Sequence, residues 1–151
     1  MKFLMVCLGN ICRSPLAQGV LEKKTQHLNT YVDSAGTAAY HVGEKPDYRS
    51  IEIADKYNID ITKQRARQFS IEDFEDFDKI YAMDINNYNN IISLARNDSE
   101  KNKVSLILSE KDPNTNQSIP DPYYGGEKGF ENVYYMLNEV CEIIKNKLEK
   151  R

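Results

Sequence analysis

Lys2-Phe3-Leu4-Met5-Val6-Cys7-Leu8-Gly9-Asn10-Ile11-Cys12-Arg13-Ser14-Pro15 carries an apolar run, a short glycine-containing loop and a helix-start signal in immediate succession. Lys2 to Val6 is apolar and β-leaning, and reads as a buried strand. Ser14 followed by Pro15 predicts a helix start, with the hydroxyl at the N-cap and proline at the first helical position. Ala17, Val20, Leu21 and Leu28 then recur at helical spacing. A loop that closes onto a helix N-terminus turns several backbone N–H groups into one concavity, which is a site for a phosphate-like anion. Leu8, Gly9, Asn10, Ile11 and Cys12 supply those amides, and Asn10 tolerates left-handed backbone geometry. Arg13 adds a planar cationic fork matched to phosphoryl oxygens. Cys7 then lies at the bottom of the cradle, where positive potential favours a thiolate nucleophile. Taken singly, Cys7 reads as a core cysteine and Arg13 as a surface charge. Strand, loop, arginine, cap and proline together favour a loop built to attack phosphorus.

Outward from this segment, strands and helices alternate. Further strands are expected at Tyr31–Ala35, Lys79–Met83 and Val104–Leu108. Ile51 to Tyr57 reads as a helix, Ser70 with Asp73 as a capping box on a short helix, and Asp84 as the cap of a helix carrying Ile85, Tyr88, Ile92 and Ala95. A final helix carries a stripe of Phe130, Val133, Tyr134, Leu137, Val140, Cys141, Ile144 and Leu148. This pattern predicts an α/β fold: a single three-layer α/β/α domain over residues 1–151, with a four-stranded parallel sheet and the anion loop between the first strand and first helix. The stretch from about Ser109 to Gly129 is rich in turn signals and not periodic, and loops of that length in a compact domain are often functional.

At 151 residues the chain is long enough for one sizeable core, and 40% hydrophobic with 28% charged residues fits a globular protein. A formal net charge of -3, with no basic block, argues against nucleic-acid binding. No apolar run approaches a membrane span. Three cysteines, an odd number with one needed as a free thiolate, favour a reducing cytoplasm. His27 and His41 lack companions at ligand spacing, and Asp73, Glu75, Asp76 and Asp78 read as a solvated acidic face. Neither a metal nor another cofactor is expected, and the chain is expected to be a monomer.

The chain resembles the low-molecular-weight protein tyrosine phosphatase family. Cys7 through Ser14 carries its loop pattern, a cysteine, five residues and then Arg-Ser, and Asp121-Pro122-Tyr123 carries its second signature. Asp33-Ser34-Ala35-Gly36-Thr37, Val42-Gly43, Ala66-Arg67-Gln68 and Met83-Asp84 follow the family's order between them. The resemblance implies hydrolysis of phosphotyrosine, on a protein or as a small aryl phosphate, through a phosphocysteine. Cys7 would be the nucleophile, Arg13 and the loop amides the phosphate ligands, and Asp121 the general acid and then base. It further implies that Ser14 donates to the Cys7 sulfur, that Ser34 partners the Asn10 amide, and that Tyr40, Tyr123 and Tyr124 wall a deep slot. Many members have a histidine where this chain has Gln64, and a glutamine does not titrate near neutral pH.

Other readings remain open at this level. Cys12 reads equally as a redox partner for Cys7 and as a small packing residue, whereas Cys141 lies on a core stripe. Arsenate reductase chemistry on the same fold needs relay cysteines that this chain lacks outside Cys12 and Cys141. Protein-arginine phosphatases of similar sequence carry threonine where this chain has Ile11. A phosphocysteine carrier needs no general acid, and a non-catalytic phosphate-binding module would be expected to lack Cys7 or Asp121.

Overall fold

The computed structural model describes residues 1–114, 116–123 and 125–151. Strand β1 (Lys2–Cys7) leads through the loop into α1 (Arg13–Lys24), then β2 (Tyr31–Gly36), α2 (Tyr48–Lys56), the single turn α3 (Asp73–Asp76), β3 (Lys79–Ala82), α4 (Ile85–Leu94), α5 (Asp98–Asn102) and β4 (Val104–Leu106). A 3-10 turn at Ile107–Glu110 and the long helix α6 (Gly126–Glu149) complete the chain. All strand pairs are parallel, in the order β2-β1-β3-β4.

The pleat of β1 divides the core. Phe3, Met5 and Cys7 face a cluster that takes in Leu16, Val20, Ile53, Val133, Leu137 and Ile144 from α1, α2 and α6. Leu4 and Val6 face the other cluster, with Ile80, Ala82, Ile91, Phe74 and Phe69. Burial on both faces explains why this strand is apolar throughout rather than alternating. β1 also marks the switch point of the topology. The chain goes from it to β2 on one side, then returns to β3 on the other. The crevice at the carboxyl ends of β1 and β3 is therefore where a ligand site belongs in such a sheet.

The structure alters several local expectations. Ser14 is not the N-cap: the helix begins at Arg13, Cys12 holds the cap position without a side-chain bond, and the Ser14 hydroxyl faces the Cys7 sulfur instead. Helix α1 stops before Leu28, where the Thr25 hydroxyl bonds the Leu21 carbonyl and closes the last turn. The fourth strand is shorter than its apolar run, because Ile107 and Leu108 turn into the 3-10 segment while staying buried. In α4 the fully buried residue is Ile91, while Ile85 is exposed. Only half of the expected capping box forms, the Ser70 N–H donating to Asp73 Oδ2 at 2.9 Å. Asp73 itself is buried and takes both terminal nitrogens of Arg67, so it does not belong to a solvated face. Asp84 does cap α4, accepting from the Asn87 N–H at 2.7 Å.

Candidate active site

The loop after β1 is shaped from outside. The carbonyls of Cys7, Leu8 and Ile11 accept from the N–H groups of Thr37, Ala38 and Asp47 at 2.8–2.9 Å, and the Cys12 carbonyl accepts from the Ser50 hydroxyl at 3.2 Å. Peptide planarity then turns the amides the opposite way, into the concavity. Among the described residues, none of the backbone N–H groups from Leu8 to Cys12 donates to another group of the protein. Asn10, at φ 57°, makes the left-handed step that lets the amides converge. Gly36 at the end of β2 permits the close approach of this loop, since a Cβ there would stand 2.7 Å from the Leu8 carbonyl oxygen.

A hydrogen-bonded chain supports the sulfur from behind. Asn10 Nδ2 donates to Ser14 Oγ at 2.8 Å and to Ser34 Oγ at 2.9 Å. Ser14 Oγ lies 3.0 Å from Cys7 Sγ. The Ser14 hydroxyl accepts from Asn10 and has its own hydrogen for the sulfur or for the Ala35 carbonyl, 3.5 Å away. Ser34 passes its own hydrogen to Gln18 Oε1 at 2.7 Å, and Asn10 Oδ1 accepts from the Arg67 N–H at 3.0 Å. Gln64 is not part of this chain; its amide donates to the Pro15 carbonyl at 3.1 Å.

Arg13 is 3% exposed and held along one edge. Its Nη1 donates to Asp84 Oδ2 at 2.6 Å and to the Ile119 carbonyl at 3.0 Å, while Nη2 lies 3.9 Å from Asp121 Oδ2. The Ile119 N–H in turn donates to the Met83 carbonyl, fastening the start of the Asp121 segment to the end of β3. Asp121 has half its side chain exposed, and its Oδ1 accepts from the Tyr123 N–H at 3.0 Å. The carboxylate thus hangs over the cradle from a turn of its own making.

A cavity of about 300 Å³ opens here, lined by Cys7, Leu8, Gly9, Ile11, Cys12, Arg13, Tyr40, His41, Asp121 and Tyr123. Tyr40 stands 75% exposed at its rim. The residues singled out from the sequence are therefore brought together, with Asn10, Ser14 and Ser34 beneath the loop. Tyr124 lies outside the described residues. Burial, with Asp47 beside it, pushes the Cys12 thiol up to about 12, and the three cysteines are free. Among the described residues, no group of three or more histidine, cysteine or acidic side chains is arranged to hold a metal.

Four contributors were not visible as site residues in the sequence. Asp84 anchors Arg13, Gln18 ends the Ser34 chain, His41 lines the slot, and Arg49 reaches the Tyr123 carbonyl. Asp84, Gln18 and Arg49 belong to the site through strand register or helix placement, and His41 through the turn between β2 and α2, rather than through a local motif. For Asp84 the signals were the Met83-Asp84 segment of the family resemblance and its cap position at the end of β3, the strand beside β1.

A family model described as low molecular weight phosphotyrosine protein phosphatase matches residues 2–151. The low molecular weight phosphotyrosine protein phosphatase of Schizosaccharomyces pombe is 40% identical over 141 residues, covering 90% of this chain and 89% of the relative. Among solved structures, a protein tyrosine phosphatase from Entamoeba histolytica, crystallised with Hepes in its active site, superposes with a TM-score of 0.92 at 39% identity, covering 99% and 97% of the two chains. A Drosophila arginine phosphatase superposes with a TM-score of 0.87 at 34% identity, covering 98% of each. With Cys7 and Arg13 at the ends of the N-terminal loop and the likeness running the whole length, the chain belongs to the low molecular weight phosphotyrosine protein phosphatase family.

Proposed function

We propose that this protein hydrolyses phosphotyrosine monoesters, on proteins or as small aryl phosphates, through a phosphocysteine. The observation that carries this reading is the convergence of Cys7, the inward amides, Arg13 and Asp121 on one cavity. In the first step the Cys7 thiolate attacks phosphorus. An S–P bond forms, the P–O bond to the phenol breaks, and the Asp121 carboxyl gives its proton to the departing oxygen. Arg13 and the amides of Leu8 to Cys12 hold the equatorial oxygens as charge spreads over them. In the second step Asp121, now a carboxylate, takes a proton from water. The water oxygen bonds phosphorus, the S–P bond breaks, and Cys7 leaves as a thiolate stabilised by the Ser14 hydroxyl.

The phenyl ring is placed between Tyr40 and Tyr123, over the methyl groups of Ile11. The depth of the slot favours a phosphate carried on an aryl arm over one on a serine stem. Phosphoarginine is the second reading, favoured by the likeness to the Drosophila arginine phosphatase; Ile11, in place of the threonine implied for that specificity, favours tyrosine. Arsenate reduction is disfavoured by the placement of Cys141, which is 0% exposed within α6 in the core. The free thiols fit a reducing compartment, and no described helix is long and apolar enough to cross a membrane. The test is parallel hydrolysis of phosphotyrosine, phosphoserine and phosphoarginine peptides without added metal. Phosphotyrosine should be turned over fastest; preference for phosphoarginine would overturn the substrate assignment.

A further inference from the structure

Arg49, in the first turn of α2, lies outside the slot, yet each of its donor nitrogens is engaged. Nε and Nη2 form a fork on the Asp47 carboxylate, with both distances at 3.0 Å, while Nη1 donates to the Tyr123 carbonyl at 2.9 Å. The guanidinium also sits 4.6 Å from the Phe130 ring centroid and 5.2 Å from that of Tyr123. Phe130 is buried at the start of α6, so this contact gives the guanidinium a rigid backing. Asp47 is itself tied to the anion loop, its N–H donating to the Ile11 carbonyl at 2.8 Å. Two residues therefore connect the loop that holds phosphate to the turn that presents Asp121.

We propose that Arg49 is a positioning residue, which holds the Asp121 turn over the Cys7 cradle by fastening the Tyr123 carbonyl to the Asp47 that clasps Ile11. Asp121 is half exposed with its carboxylate held by the Tyr123 N–H, and the segment before it is fastened by the Ile119 N–H to the Met83 carbonyl. Tyr123 thus receives Arg49 on its carbonyl and gives its N–H to the acid, so a shift of this one residue moves the carboxylate. An arginine suits the task because its planar fork fixes direction as well as charge.

The proposal rests on Asp121 as general acid, and its test separates the two ideas. Rates are compared for aryl phosphates with a basic leaving phenol and with a very acidic one, together with inhibition by inorganic phosphate. Asp121→Asn is run in parallel as the reference. Arg49→Met should lose about tenfold to a hundredfold in kcat on the basic leaving group and under about threefold on the acidic one, with phosphate inhibition unchanged. Arg49→Lys should recover part of the loss. Asp47→Asn keeps an N-cap for α2 but removes the fork, so it should show the same pattern more weakly and serves if Arg49→Met does not fold. Equal losses on both leaving groups, or none, in the Arg49 and Asp47 variants would overturn the proposal while leaving the acid in place. Absence of leaving-group discrimination in Asp121→Asn would overturn the acid assignment and this proposal with it.

Discussion

At the scale of single residues, the site is a buried cation kept in place by a carboxylate on the neighbouring strand's loop. Arg13 is taken out of water by the core and presented to the slot by Asp84 and the Ile119 carbonyl. Removing one partner of such a pair leaves a charge without compensation, which costs about 3–5 kcal/mol in a buried setting. Asp84→Ala is therefore expected to lower stability by an amount of that order and to weaken phosphate binding at least tenfold. Thermal unfolding and competitive inhibition by phosphate check the two effects; wild-type phosphate affinity would show that the Asp84 contact does not orient Arg13. The nucleophile and its arginine were legible because a strand, a loop and a helix start are local in sequence. Asp84 was not, because it stands 71 positions from Arg13 and meets it only through the β1–β3 register. Of the two roles expected of Ser14, the one at the Cys7 sulfur is seen and the N-cap is not: proline at the following position marks a helix start, but it does not show that the first turn opens one residue earlier, at Arg13.

At the scale of elements, the anion loop is held by its neighbours rather than by its own bonds. β2 ends at Gly36, whose N–H and carbonyl pair with Arg67 and Phe69 while its bare Cα lies under the Leu8 carbonyl. Gly36→Ala pushes a methyl group into backbone that is fixed on both sides. We expect the protein to fold with about 1–3 kcal/mol less stability and to lose at least tenfold in kcat/KM, since the amide cradle is displaced. Unchanged kinetics with a normal melting temperature would show that the loop adapts. Elements themselves were readable where period and length agreed: β1 from its continuous apolar run, α6 from a stripe of Phe130, Val133, Leu137 and Ile144 that proved buried. Boundaries were less readable. β4 closes after three residues although Ile107 and Leu108 are equally apolar, because burial, not sheet pairing, is what those side chains satisfy.

Over the whole molecule, buried thiols link stability to alkaline pH. Burial pushes both Cys12 and Cys141 up to about 12, from 9.0. An unfolded chain releases these protons from about pH 9, whereas the folded chain keeps them until about pH 12. The unfolded state therefore binds fewer protons across that window, and stability falls as pH rises through it. On the acid side Glu142, hydrogen-bonded to Lys145 and Lys24, is held at about 2, so its contribution is present above 4.5 and is lost as pH falls toward 2. Denaturant midpoints should be flat near neutrality and decline above about pH 9, with Cys141→Ala reducing the alkaline slope; an unaltered slope would place the linkage elsewhere.

In the proposed reaction Cys7, at the floor of the cavity, carries the phosphoryl group between the two steps. This role is tested most directly by rapid quenching into denaturant during turnover of an aryl phosphate with an acidic leaving group, followed by peptide mass mapping. One phosphoryl group is expected on the peptide containing Cys7, in an amount set by the balance of the two steps, and none in Cys7→Ser. A phosphoryl group on another residue, or steady turnover by a carefully purified Cys7→Ser protein, would contradict it.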